Sequence, residues 1–163
     1  MIKPITDFME RDHDRLDGLF KEFQPAKTRD FAKAKQHFSE FKRGLQRHIV
    51  WEEEFLFPRF ESRTGMSEGG PTTVMRLEHR RLKELLEGIH DQVAAGKTDT
   101  GEYEHELLDV LLVHNTKEEA VLYPAIDRCL SEGEAAELIE TMKALPAERY
   151  AHCCADHGED AHA

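Results

Sequence analysis

His48-Ile49-Val50-Trp51-Glu52-Glu53-Glu54-Phe55-Leu56-Phe57-Pro58 recurs later in the chain as His114-Asn115-Thr116-Lys117-Glu118-Glu119-Ala120-Val121-Leu122-Tyr123-Pro124. The offset between the copies is 114 − 48 = 66. The same offset carries His13-Asp14-Arg15-Leu16 onto His79-Arg80-Arg81-Leu82. Each half of the chain thus holds a lone His followed by a His-x-x-x-Glu. Read as one helical hairpin occurring twice, the repeat predicts a bundle with approximate two-fold symmetry and a matched pair of metal half-sites.

Outward from the repeat, the apolar spacing is helical nearly throughout. Pro4 and Thr6 open a first helix expected over 4–24, ended by Gln24-Pro25-Ala26. Thr28 can cap a second over 28–63, closed by Arg63-Thr64-Gly65. Gly69-Gly70 interrupts the pattern, Pro71 starts a third helix, and Ala95-Gly96-Lys97 stops it. A fourth is expected over 100–130, and Ser131-x-x-Glu134 has the form of a capping box for a short fifth that ends near Pro146. The expected fold is all-α: an up-down-up-down four-helix bundle domain over 1–145, including the short fifth helix, with a polar His/Cys-containing tail over 146–163.

On the second helix Ala34, Phe38, Phe41, Leu45, His48, Glu52 and Phe55 form a seam of inward positions. The fourth repeats it with Tyr103, Leu107, Val110, His114, Glu118, Val121 and Ala125. His13 lies on the stripe of Met9, Leu16 and Phe20, and His79 on that of Met75, Leu82 and Leu86. Four imidazoles and two carboxylates are thereby placed in one apolar interior. A buried unpaired carboxylate costs several kcal/mol or neutralises itself, and no Lys or Arg occupies a matching inward position. A pair of metal ions supplies the missing positive charge. His13 and His48 would hold one, His79 and His114 the other, with Glu52 and Glu118 bridging. One His on an apolar face is ordinarily a hydrogen-bonded core residue, but two copies of the whole pattern at one offset outweigh that reading. Imidazole and carboxylate together suit Fe, Mn or Zn, whereas Ca and Mg want oxygen shells. Such a ligand count leaves room for an oxo or hydroxo bridge and an exogenous ligand.

Other candidates are less central. Glu53 and Glu119 follow the bridging pair and are turned by about 100° from it, placed to orient a ligand His or to face solvent. His37 and His90 lie too far along the helix axes to join the site, and His105 falls on the opposite face. Trp51 is expected to pack between helices. The His152-Cys153-Cys154 segment could hold an accessory metal or be an irregular terminus. A net charge of −11 excludes the basic stripe that nucleic acid requires, and no stretch is long and apolar enough to span a membrane. Three Cys and no apolar leader suggest a reducing, cytoplasmic setting.

The phrases His48-x-x-x-Glu52-Glu53-x-x-Leu56-Phe57-Pro58 and His114-x-x-x-Glu118-Glu119-x-x-Leu122-Tyr123-Pro124, with His13 and His79, resemble the hemerythrin-like (HHE cation-binding) family over roughly residues 5–130. The resemblance implies a non-haem centre of two Fe ions, bridged by two carboxylates and an oxo or hydroxo group. It implies a small ligand such as O2, H2O2 or NO, which the protein binds, senses or decomposes, the last as catalase-like or peroxidase-like turnover. Its alternative is a metal- or oxygen-responsive sensor, or an iron-storage or iron-sulfur repair module without turnover; the missing N-terminal Cys-bearing domain ranks repair lower. The oxygen carriers of that family have a His-x-x-x-His on their third helix, where this chain has Lys83 four residues after His79, and an Asp five residues after the fourth-helix His, where it has Glu118 and Glu119. That departure argues for a more open centre than an oxygen store, its shell completed by Glu53, Glu119, Tyr123 or the tail.

Overall fold

Pro4 stands in the first turn of helix α1 (Pro4–Arg29), where a missing N–H costs nothing. Asp127, far along the chain, accepts from the Ile5 and Thr6 amides (2.9 and 3.0 Å) and from the Thr6 hydroxyl (2.7 Å), satisfying donors that no local side chain caps. The computed structural model describes residues 2–151, so the His152-Cys153-Cys154 segment lies outside the described residues. Contrary to the expected stop at Gln24-Pro25-Ala26, α1 continues through Pro25 to Arg29. Pro25 and Lys21, whose carbonyl the proline leaves without a donor, are both exposed, so water replaces the lost bond. The next helix is capped by Asp30 rather than Thr28: Asp30 is extended and accepts from the Lys33 amide at 3.2 Å.

Helix α2 covers 31–64 and α4 covers 101–129, and each contains a π-turn, at Trp51–Leu56 and Glu118–Leu122. Between them runs α3 (Pro71–Ala94), and α5 (Glu132–Lys143) follows behind the expected capping box of Ser131 and Glu134. In the π-turns Phe57 N–H reaches Glu52 O and Tyr123 N–H reaches Glu118 O, five residues back. Pro58 and Pro124 come next. A proline removes a donor and collides with the carbonyl four residues before it, and a wider turn just ahead relieves both.

Each π-turn adds a residue and moves the inward seam by one. The seam therefore runs from Glu118 to Leu122 (2% exposed) and buried Ile126, not to Val121 (62% exposed) and Ala125. On α2 it runs to Leu56 rather than the half-buried Phe55. A second correction lies at the start of α4, where Glu104 and Leu111 are buried in place of Tyr103 and Val110. Glu104 goes inside because Lys27 and Thr100 both donate to it, a pairing that a hydropathy pattern does not register.

Antiparallel packing of α1 on α2 follows from ring contacts that pair ascending with descending numbers: Phe20 with Phe41 at 4.8 Å and Phe23 with Phe38 at 5.2 Å. α3 and α4 pair the same way, through Glu78 with His114 and Arg81 with Glu106. The two-fold repeat extends to the helix ties, since Thr6–Asp127 has its counterpart one repeat away in Thr72–Glu61 at 2.8 Å. Two apolar clusters result. One gathers Leu16, Phe20, Phe41, Leu45, Leu82 and Leu111; the other gathers Met9, Leu56, Met75, Leu122 and Tyr123, with α5 and the Trp51 indole closing it. A polar layer lies between them.

Candidate metal centre

That layer takes one histidine from each of α1 to α4 and a glutamate from α2 and from α4. His13, His48 and His79 each fall one turn from apolar residues of both clusters, His114 falls one turn from Leu111 and two from Leu122, and all four are buried, as are Glu52 and Glu118. The six form two overlapping groups, His13, His48, Glu52 and Glu118, and Glu52, His79, His114 and Glu118, with donor atoms in each within 4.8 Å of one another. The structure thus brings together the residues of each expected half-site. Glu52 turns one oxygen to each: Oε1 is 3.3 Å from His48 Nε2 and Oε2 is 2.8 Å from His79 Nε2. Glu118 lies between the halves with Oε1 3.4 Å from His13 Nε2 and 3.2 Å from His114 Nε2.

Behind each imidazole stands a carboxylate on another helix. His13 Nδ1 donates to Glu119 (2.7 Å), His48 Nδ1 to Asp12 (2.8 Å), His79 Nδ1 to Glu53 (3.0 Å) and His114 Nδ1 to Glu78 (2.9 Å). An ionised carboxylate only accepts, so the Nδ1 proton is fixed and Nε2 is left to face the interior with its lone pair. Glu53 and Glu119 thus contact histidines, as one of their two expected roles required. Asp12 and Glu78 were not anticipated. The signal was available: each immediately precedes the lone His of its half, so the two are related by the repeat.

The outer carboxylates carry their own counter-charges. Asp12 takes Arg15 at 3.0 Å and Arg47 at 3.4 Å, Glu78 takes Lys117, and Lys83 Nζ is 3.9 Å from Glu53. Lys83, where a further His would be expected, points outward and backs a carboxylate. The inner pair has no such support: among the described residues no Lys or Arg is paired with Glu52 or Glu118. Glu52 Oε2, Glu118 Oε2 and His79 Nε2 are buried without a hydrogen bond, although two of them are 2.8 Å apart. Buried orphans are uncommon, and three converging acceptors describe a cation site.

Without a metal the layer can balance its charge only with protons. Burial opposes charge on His48, but Glu52 and Asp12 prevail and push it up to about 10. His79 goes to about 9 against the same burial, through Glu52 and Glu53. Burial also works against the Glu52 carboxylate, yet His48 and His79 hold it well below the usual range. Asp12, likewise buried, is drawn down to about 2 by His48 and Arg15. Two shared carboxylates, four inward Nε2 atoms and their fixed tautomers fit a pair of borderline divalent ions.

Tyr123 also enters the layer. In a regular helix, five residues from Glu118 would turn it about 140° away, whereas the π-turn returns it to nearly the same side. Its hydroxyl donates to Glu52 Oε1 at 2.5 Å and lies 3.0 Å from Glu118 Oε1. Burial, with Glu118 and Glu52 beside it, pushes the phenol well above its ordinary value in the metal-free chain.

The Hemerythrin HHE cation binding domain matches residues 4–126 and again 70–148, the second match beginning one repeat after the first. A DNA nickase of Nostoc sp. is 29% identical over 140 residues, covering 86% of this chain and 38% of its own. An uncharacterized hemerythrin-like protein of Schizosaccharomyces pombe is 27% identical over 139 residues, 85% of this chain and 67% of its own. The iron-sulfur cluster repair protein YtfE of Escherichia coli is 35% identical over 89 residues, 49% of this chain and 40% of its own. The chain thus spans about two fifths of the nickase and of the stated repair protein. No solved structure matches it. Among the described residues no helix is long and apolar enough to cross a membrane.

Proposed function

The chain belongs to the hemerythrin HHE cation-binding domain family, and on that premise we propose that its centre holds two iron ions and binds, senses or decomposes O2, H2O2 or NO. The observation that carries this reading is the ring of four imidazole–carboxylate pairs aimed at two shared, unsupported carboxylates. His13 and His48 serve one ion, His79 and His114 the other, and Glu52 and Glu118 join them. Iron, when bound, supplies the redox change and the open positions for a small ligand. The protein's part is to hold those positions dry and small. A cavity of about 10 Å³ touches both half-sites and is lined by Leu16, Phe41, Leu45, Leu82 and Leu111 with His13, His48, Glu52 and His114. A space of that size takes one water-sized molecule, which suits a diatomic or peroxide and not a larger organic substrate. Beyond the site residues its walls are mostly apolar, Asp17 and Asn115 aside, which limits how bulk water competes for the centre.

The experiment is exposure of the iron-loaded chain to peroxide, oxygen and NO in turn, followed by absorption and oxygen evolution. At least one is expected to change the spectrum or be consumed, and Glu52→Ala should abolish the response. Loaded protein indifferent to all three would remove this reading. A second reading, iron supply for cluster repair, is favoured by the 35% identity to the repair protein. Transfer of iron to an apo iron-sulfur protein, with no response to the three ligands, would select it.

A further inference from the structure

Phe57 and Tyr123 occupy equivalent places in the two halves, each the first residue past a π-turn and each fully buried. Phe57 lays its ring on His79, with centroids 5.8 Å apart and planes 10° from parallel. Tyr123 brings its ring beside His13, also at 5.8 Å. The hydroxyl is what distinguishes the two, and it reaches the donor atoms of one half-site only. Its oxygen lies 2.5 Å from Glu52 Oε1, 3.0 Å from Glu118 Oε1, 3.1 Å from His48 Nε2 and 3.3 Å from His13 Nε2.

Hydrogen bonding accounts for little of this arrangement once the imidazoles are neutral, as ligation requires. The phenol then has one proton to give, and the other three neighbours meet it acceptor to acceptor. Coordination accounts for those three. Adjacent donors on a six-coordinate ion with bonds of about 2.1 Å are about 3 Å apart. The edges already present have that size: His13 Nε2 to Glu118 Oε1 is 3.4 Å and His48 Nε2 to Glu52 Oε1 is 3.3 Å. Tyr123 Oη keeps 3.0–3.3 Å from Glu118 Oε1, His48 Nε2 and His13 Nε2, with Glu52 Oε1 nearer as its hydrogen-bond acceptor, and so occupies the place of a fifth donor beside the four.

We infer that Tyr123 is a protein ligand to the ion held by His13 and His48, giving it a phenolate oxygen that the ion at His79 and His114 lacks. This rests on the di-iron reading above. The phenol O–H bond breaks, the oxygen–iron bond forms and the proton leaves to solvent, with no change in oxidation state. A nearby cation reverses the balance by which the two carboxylates otherwise keep the phenol protonated. The two ions are therefore unlike. One has five protein donors; the other has four, beneath the Phe57 ring.

The test is resonance Raman spectroscopy of the full chain loaded with ferric iron, with iron counted in the same sample. A phenolate ligand gives a visible charge-transfer band that enhances tyrosine ring modes. Those modes are expected in the natural chain and should be lost completely in Tyr123→Phe, which keeps two irons because Phe57 already serves the other half. Should that variant not fold, the double variant Tyr103→Phe, Tyr150→Phe decides the matter, since Tyr123 is then the sole tyrosine and the modes must persist. Two irons bound with no tyrosine modes, modes surviving in Tyr123→Phe, or modes lost in the double variant would overturn this inference and leave the di-iron reading standing. A chain that takes up no iron would overturn both.

Discussion

Each site imidazole is held from behind by an acid on a different helix: α1 to α4, α4 to α3, α3 to α2 and α2 to α1. Each of α1 to α4 therefore gives one His and one outer carboxylate, and none of the four can shift without misdirecting a donor on its neighbour. Removing the acid frees ring rotation and loosens the tautomer. Asp12→Ala and Glu78→Ala should each weaken metal binding roughly 10–100-fold. Glu54→Ala, which removes an exposed acid paired with Arg149, should leave it unchanged. Chelator competition measures all three. Protonation belongs to this scale too. His48 is raised from its ordinary 6.5 to about 10 and His79 to about 9. A raised folded value favours the folded state fully below 6.5, and that contribution is lost as pH rises through about 9–10. The metal-free chain should accordingly unfold at lower urea at pH 10 than at pH 6.5, and iron should remove that difference. A metal-free midpoint that holds or rises over the interval would contradict the protonated-imidazole description.

At the scale of the element, the π-turns decide which residues reach the centre. That the six side chains of the polar layer would meet was legible because each occurs twice at one offset on an apolar stripe, and chance seldom does that. The register beyond Glu52 and Glu118 was not legible. A steady helical period sends Val121 and Phe55 inward, whereas the extra residue in each wide turn sends Leu122 and Leu56. Pro58 and Pro124 mark the turns, but a proline inside a helical pattern ordinarily signals an end or a kink, not a wider turn. Tyr123 was hidden for the same reason and could only stand among several completing ligands. A pair of substitutions tests the register. Leu122→Ala should cost about 2–5 kcal/mol, as for a buried leucine, and Val121→Ala should stay within about 0.5 kcal/mol. A regular helix predicts the reverse order, and urea denaturation of the metal-free variants separates them.

For the whole molecule, symmetry places the centre and its breaking makes the halves different. The two hairpins share the ties Thr6–Asp127 and Thr72–Glu61, the acids behind the histidines and the π-turns. They differ at Tyr123 against Phe57, and in α5, which closes one apolar cluster through Ala135, Leu138 and Met142. Bundle, hairpin repeat and polar layer could be read from spacing alone, because helical periodicity reports faces over many turns. The buried Lys27–Glu104 pair and the passage of α1 through Pro25 could not, since each depends on a distant partner or on local hydration. The most direct test of the paired, carboxylate-bridged centre is the iron content of the natural chain beside His114→Ala and Glu52→Ala, purified under identical iron-replete conditions and shown helical by circular dichroism. Such a centre requires two irons per natural chain, a reduced content when one half-site loses His114, and close to none when the shared Glu52 is removed. A natural chain with fewer than two irons, or a Glu52→Ala chain that keeps both, would contradict it.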